Sequence, residues 1–278
     1  MIKTVDFCGT PISRLILGDN TFTGHSYIEE KHTGAEMMDY YTAAKCVEAL
    51  FEAEKNGINA YLALAEPFIL RVLRQYRNEG GKMNIIFQTY PAVELETNLW
   101  QMMLCEPTGI YVAGGTSDLL MEEGRADELR RRLEMLREAG VKVGVGTHEI
   151  ENLMRYETEN WDVDFYLTCI YNFRHAQRGQ KSGFITGKPK SVVFCHDDPP
   201  HMFEAIRAVK KSCIAFKIFA GGQVFIGKSQ DEIPEVAEQV IRNAYNNIKP
   251  RDVICISAFQ KFSNQIKENA DTVKKVLG

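Results

Sequence analysis

The sequence is short of the features that mark several protein classes. No apolar run approaches the ~18 residues of a membrane span. The opening residues, MIKTVDFCGT, lack the apolar core of a signal peptide. The seven cysteines are scattered singly, with no CxxC pair. That argues against a disulfide framework and a thiolate zinc site, and fits reduced thiols in the cytoplasm. Excess positive charge is also missing, since the formal net charge is −4. Arg130, Arg131 and Arg132 form the one arginine cluster, and they fall in a helical segment where a solvated face accounts for them. Nucleic acid and membranes therefore drop out as partners, and a small-molecule ligand remains. Composition leaves the oligomeric state open. What is present is 278 residues, 45% hydrophobic and 25% charged, an ordinary globular mixture with no composition break. One domain over residues 1–278 follows.

Hydrophobic periodicity then supplies the architecture. Residues 4–13 read as a short two-strand plug turning at Gly9-Thr10-Pro11. Apolar strands follow at 15–19, 58–64, 84–90, 109–113, 141–147, 163–169, 213–219 and 252–258. Amphipathic helices alternate with them, including one at about 40–55 after a loop to about residue 39 and a charged one at 117–138, and several end on Asn-Gly or Gly pairs such as Asn56-Gly57 and Gly80-Gly81. Strands that are apolar throughout are buried on both faces, which implies a parallel sheet. Eight strand-helix units in this length predict a closed parallel (β/α)8 TIM barrel with an N-terminal hairpin plug. The sixth connection, 172–197, is the irregular one. It holds Arg174, Arg178, Lys181, Lys188 and Lys190, and an apolar piece, Val192-Val193-Phe194, that reads as an extra strand.

The most informative stretch is 213–222, CIAFKIFAGG. Alternation puts Cys213, Ala215, Lys217 and Phe219 on one face, expected inward, and Ile214, Phe216 and Ile218 outward. Burying an ammonium unpaired is costly, so Lys217 either snorkels to solvent or meets a carboxylate or ligand. Asp19 is the expected partner, because only the last strand separates the first from the seventh. Strand ends in such a barrel form the site. They nominate Asp19, Tyr90, His148 and Lys217 as catalytic candidates, with Glu66, Gln88, Glu149, Thr168, Cys169, Tyr171, Asn172 and Ser257 nearby. Ser117 reads as a helix N-cap, and Asp197 or Asp198 caps the helix at 199–211, with Pro199 and Pro200 in its first turn. Neither His196–His201 nor His148-Glu149 has the spacing of a strong metal site. Cys169 reads as a buried, inert thiol.

Two stretches resemble aldo/keto reductases. One is Gly9-Thr10-Pro11-Ile12-Ser13-Arg14-Leu15-Ile16-Leu17-Gly18 with Thr21-Phe22. The other is the last strand followed by Asn264-Gln265-Ile266-Lys267-Glu268-Asn269-Ala270. Tyr171-Asn172 and Ala220-Gly221-Gly222 sit where that family often has similar residues. The resemblance implies the same barrel and a nicotinamide nucleotide, NADP, as cofactor. It implies phosphate binding near Gly221, Gly222, Ser257, Ser263 and Asn264, and adenine near Glu268 and Asn269. The catalytic aspartate, tyrosine, lysine and histidine of the family fall at Leu62, near Pro67, at Tyr90 and at Gly114. All four residue types are replaced. The amide-holding residues fall near Thr147 and Thr168, and the stacking tyrosine at Phe216. The expectation is a divergent relative without standard reductase activity. The alternatives are a lyase, aldolase or isomerase using Lys217, or a catalytically silent binding barrel.

Overall fold

The computed structural model describes residues 1–172 and 194–278. The basic residues 174–190 and the expected extra strand at Val192-Val193 lie outside the described residues. Strands β1 (Thr4–Phe7) and β2 (Thr10–Ser13) form an antiparallel hairpin. The turn is one step earlier than expected, at Cys8 and Gly9, both at positive φ. Gly9 tolerates that φ without penalty, and its N–H donates to Asp6 Oδ1 at 2.8 Å.

Eight parallel strands then close on themselves. In chain order they are β3 (Leu15–Gly18), β4 (Ala60–Leu64), β5 (Asn84–Gln88), β6 (Gly109–Val112), β7 (Lys142–Thr147), β8 (Phe165–Cys169), β9 (Ser212–Phe216) and β10 (Val253–Ser257). Each pairs with the next, and β10 pairs with β3, with Ile254 opposite Leu15 and Ser257 opposite Gly18. The fold is the expected closed barrel with its plug.

Ten α-helices are described: α1 (Gly34–Tyr40), α2 (Ala43–Lys55), α3 (Pro67–Asn78), α4 (Leu95–Met103), α5 (Gly114–Glu122), α6 (Ala126–Glu138), α7 (Ile150–Thr158), α8 (Asp198–Ala208), α9 (Ile233–Asn247) and α10 (Gln265–Leu277). The helix expected at 40–55 is α2, preceded by the additional helix α1, and the single helix expected at 117–138 is two. Thr42 accepts from the Lys45 N–H and starts α2 afresh. Gly124, at φ 70°, ends α5.

Two apolar layers result. Outward strand residues such as Tyr61, Val143 and Cys213 pack under the helices. Inward residues, including Ile16, Ile86, Phe165, Leu167 and Ile214, meet Phe7 and Ile12 of the plug. The Phe7 and Phe165 rings lie 5.2 Å apart. Phe165 fits because β7 carries Gly144 opposite it, where a Cβ would come within 2.4 Å of the ring. The plug and this layer fill one end of the barrel, which leaves the C-terminal strand ends to form a site.

Candidate active site

One cavity of about 1160 Å³ opens over those strand ends. Asp19, Tyr90, His148, Lys217, Gly221, Gly222, Ser257, Ser263, Glu268 and Asn269 all line it. Asn264 does not. Glu66 and Gln88 also line it, whereas Glu149, Thr168, Cys169, Tyr171 and Asn172 do not. Tyr90 is half-buried, with its N–H fixed by Asn98 Oδ1 at 2.8 Å. Burial pushes the Cys169 thiol up to about 11, in keeping with an unreactive cysteine.

Asp19 follows β3 on the cavity floor and is 8% exposed. Its Oδ2 accepts the Leu64 N–H at 2.5 Å. Burial raises its carboxyl to about 7; the Leu64 bond pulls the other way and Glu66 adds to the rise. This corrects the expected pairing with Lys217. The side chain turns toward β4, on the other side of β3 from β9 and Lys217. Tyr111 of β6, which the sequence did not single out, points inward as well. Its hydroxyl donates to Gln88 Oε1 at 2.8 Å, and burial together with the field of Asp19 holds it well above the usual tyrosine range.

Across the mouth, His148 sits at the end of β7, buried against Asp118 of α5. Asp118 Oδ2 meets His148 Nδ1 at 2.7 Å and accepts the His148 backbone N–H at 3.0 Å. Its Oδ1 accepts Thr147 Oγ1 at 2.5 Å and Asn152 Nδ2 at 3.0 Å. Four donors thus converge on one carboxyl, and the imidazole is clamped by its Nδ1 edge. The ring takes space left by Gly114, whose Cβ would come within 2.9 Å of His148 Cε1. Asp118 was missed because a helix spanning 117–138 put it in a first turn, where acids are ordinary. The signal available was a lone carboxylate beside Leu119 and Leu120. Ser117, expected as the cap, is instead inside α5, and its hydroxyl donates to the Gly146 carbonyl across the α5–β7 contact.

The alternation in 213–219 is reversed. Ile214 and Phe216 face the barrel interior, while Cys213 and Ala215 pack outward under the helices. β9 ends at Phe216, and Lys217 turns to φ 59°. That left-handed turn costs about 1 kcal/mol for a residue with a Cβ. It delivers Lys217 Nζ to 5.0 Å from the Tyr27 ring and 5.1 Å from the Phe216 ring, where aromatic faces favour a cation. His25, also on the cavity wall, is held down to about 4, first by burial; the Thr23 backbone opposes this and the Lys217 charge adds to it.

The outer end of the cavity reaches between α9 and α10, with Pro234, Gln265, Glu268, Asn269 and Thr272 on its walls. Of the amides expected to cradle a phosphate, that of Gly222 is engaged, as are two in the first turn of α10. Gln260 Oε1 accepts from the Ile266 N–H, Asn264 Oδ1 from the Lys267 N–H, and the Phe219 carbonyl from the Gly222 N–H. Ser263 Oγ lies 3.2 Å from Glu268 Oε2. Gly221 and Gly222, both at positive φ, let the 25–28 loop close down, since a Cβ on Gly221 would strike Tyr27 at 2.6 Å. Thr147 and Thr168 lie outside the cavity, whereas Leu62, Gly114 and Phe216 line it.

No protein-family profile and no curated protein matches the sequence. Solved structures do match. Gox0644 in its apo form has a TM-score of 0.57 at 13% identity, covering 99% of this chain and 93% of that one. A Gox0644 mutant in complex with NADPH has a TM-score of 0.58 at 13% identity, covering 98% and 88%. At this identity the likeness establishes the fold, a parallel eight-stranded barrel shared with a protein that binds NADPH.

Proposed function

We propose that the protein is a barrel enzyme that binds a phosphate-bearing small molecule, foremost a nicotinamide nucleotide, along the cavity at its C-terminal mouth, and acts on a carbonyl or hydroxyl compound at the inner end. The observation that carries this is the continuity of one cavity from Asp19 and His148 out to Glu268 and Asn269. Its volume exceeds the roughly 300–1,000 Å³ usual for a single small ligand, as a two-part ligand requires. Phe216, facing inward, offers a ring for a planar heterocycle beside His148. Glu268, Asn269 and Thr272 offer polar partners at the other end. Phosphates can draw on the cations Lys31 and Lys217, which line the cavity wall along with Gly221 and Ser263. The aromatic contacts of Lys217 suit an anion-holding cation better than a nucleophilic amine. Standard aldo/keto reductase chemistry is not part of this proposal, because Leu62, Pro67 and Gly114 carry no acid, base or hydroxyl.

Calorimetric titration with NADPH, NADP and NADH tests it. Micromolar binding of NADPH, weakened by Lys217→Met and Asn269→Ala, is expected. No heat and no thermal shift with any of the three up to about 1 mM, a binding energy near −4 kcal/mol, overturns it.

A further inference from the structure

The floor of the cavity is built around a carboxyl group held half-open. Leu64 N–H occupies Asp19 Oδ2. The Asp19 carboxyl is also met by its own backbone N–H, but among the described residues no other residue hydrogen-bonds Oδ1, on a carboxyl that lines the cavity. A buried carboxyl beside this much apolar surface is stable as the neutral acid, which carries an O–H donor where a carboxylate carries only acceptors. Around it stand Leu62, Ile256 and the inward Tyr111, whose own hydroxyl is committed to Gln88.

We propose that Asp19 recognises the substrate by donating the O–H of Oδ1 to a neutral carbonyl oxygen, so that the inner end of the cavity takes aldehydes, ketones or amides and rejects carboxylates at that point. The backbone N–H of Leu64 fixes Oδ2 as the acceptor and leaves Oδ1 as the donor. A carbonyl oxygen seated there is polarised, which prepares its carbon for attack. A carboxylate in the same place could accept that O–H, but it would bury a full negative charge on a floor where none of the groups bearing on Asp19 is a cation to balance it. The charged and titratable groups that bear on Asp19 are Glu66 from the loop after β4, Tyr61 of β4, Cys46 of α2, Tyr111 of β6 and Cys255 of β10. None of these is a cation, so nothing in this set favours the ionised form. The inference rests on the cavity being the active site, but it does not need the nucleotide.

The test uses benzaldehyde carrying a ¹³C-labelled carbonyl, bound to the whole protein without nucleotide, with binding followed by NMR and polarisation by the infrared carbonyl stretch. Wild type should bind the probe and lower its stretching frequency below neutrality, and lose most of both between about pH 6 and about pH 9 as the acid ionises. Asp19→Asn keeps a donor and should bind across the whole range with no pH dependence. Asp19→Leu should bind at least tenfold more weakly at every pH, and benzoate should fail to compete with the probe at the inner end. Circular dichroism of each variant reports on folding. Binding that is independent of pH in wild type, or retained in a folded Asp19→Leu, overturns the proposal. Failure of NADPH binding with these results intact would remove the nucleotide reading and leave this one standing.

Discussion

Two buried aspartates stand near opposite strands of the barrel, Asp19 lining the cavity and Asp118 behind His148, and the protein treats them differently. Asp118 is wholly enclosed and accepts from four donors: a hydroxyl, a backbone N–H, an imidazole and an amide. Asp19 is nearly as buried, but only backbone N–H groups reach its carboxyl, that of Leu64 and its own. The first carboxyl is a clamp, since its lone pairs are spent on shaping the β7 end and holding His148. The second keeps one oxygen for the cavity and has a carboxyl raised to about 7. A burial value alone would not separate them. The count of donors does, because burial without donors makes a carboxyl neutral and burial with donors makes it structural.

The comparison breaks most visibly if Asp118 is removed. Asp118→Ala would remove the acceptor of the His148 N–H and Nδ1, while Thr147 Oγ1 and Asn152 Nδ2 keep their second contacts to the Glu149 carbonyl and carboxylate. Losses of about 1–3 kcal/mol for each of the two stripped groups suggest a total of roughly 2–6 kcal/mol. Chemical denaturation measures it. A loss below about 1 kcal/mol would mean that the clamp is not structural.

Asp19 should show the opposite sign. Its carboxyl lies at about 7 in the folded chain and at the ordinary 3.8 when unfolded. Below the lower value both states are protonated and no difference exists. Between the two the unfolded chain releases its proton first, so stability falls as pH rises. Above about 7 the loss is complete, on the order of 4 kcal/mol. Asp19→Asn removes that dependence and keeps an acceptor for Leu64 N–H. The variant should therefore be more stable than wild type at about pH 8, and the gap should close toward about pH 4. Denaturation midpoints across that range check it, and a variant less stable at high pH would reverse the assignment.

The same contrast explains what could be read from the sequence. Strand positions and the closed barrel follow from apolar runs and their helical partners, and these were legible because burial on both faces leaves an unbroken hydrophobic signal. That continuity also hid the facing. In 213–216 both faces are apolar, so alternation alone could not say whether Ile214 or Ala215 looks inward, and choosing the smaller face inverted it. The left-handed turn at Lys217 then ended the strand three residues early, at a residue type that gives no warning of positive φ. Asp19 and His148 were visible as polar residues at strand ends. Their roles were not, because Leu64 N–H and Asp118 come from neighbouring elements, β4 and α5, brought alongside only by folding.

Gly114 gives a smaller and more local test. Gly114→Ala would press its methyl against the clamped imidazole, 2.9 Å from Cε1 and 3.2 Å from Nδ1. Asp118 holds the ring, so it cannot swing away freely. Overpacking of this kind costs about 1–3 kcal/mol. The His148 ring resonances in NMR should shift with the stability loss. A variant as stable as wild type, with an unmoved ring, would show that the clamp is loose.

The smallest effect separates backbone from charge at Lys217. Its φ of 59° disfavours any residue with a Cβ, by about 1 kcal/mol. Glycine removes that penalty but adds freedom to the unfolded chain, a cost of about 0.5–1 kcal/mol. Lys217→Gly should therefore leave stability within about 0.5 kcal/mol of wild type, while Lys217→Met keeps the turn penalty. Both variants remove the ammonium from between Tyr27 and Phe216, and both should weaken NADPH by roughly tenfold, the worth of one partly screened charge contact of about 1.4 kcal/mol. Equal weakening by Gly and Met assigns the effect to the charge. Weakening by Gly alone assigns it to the turn that positions Phe216, and Lys217 then serves the cavity through its backbone.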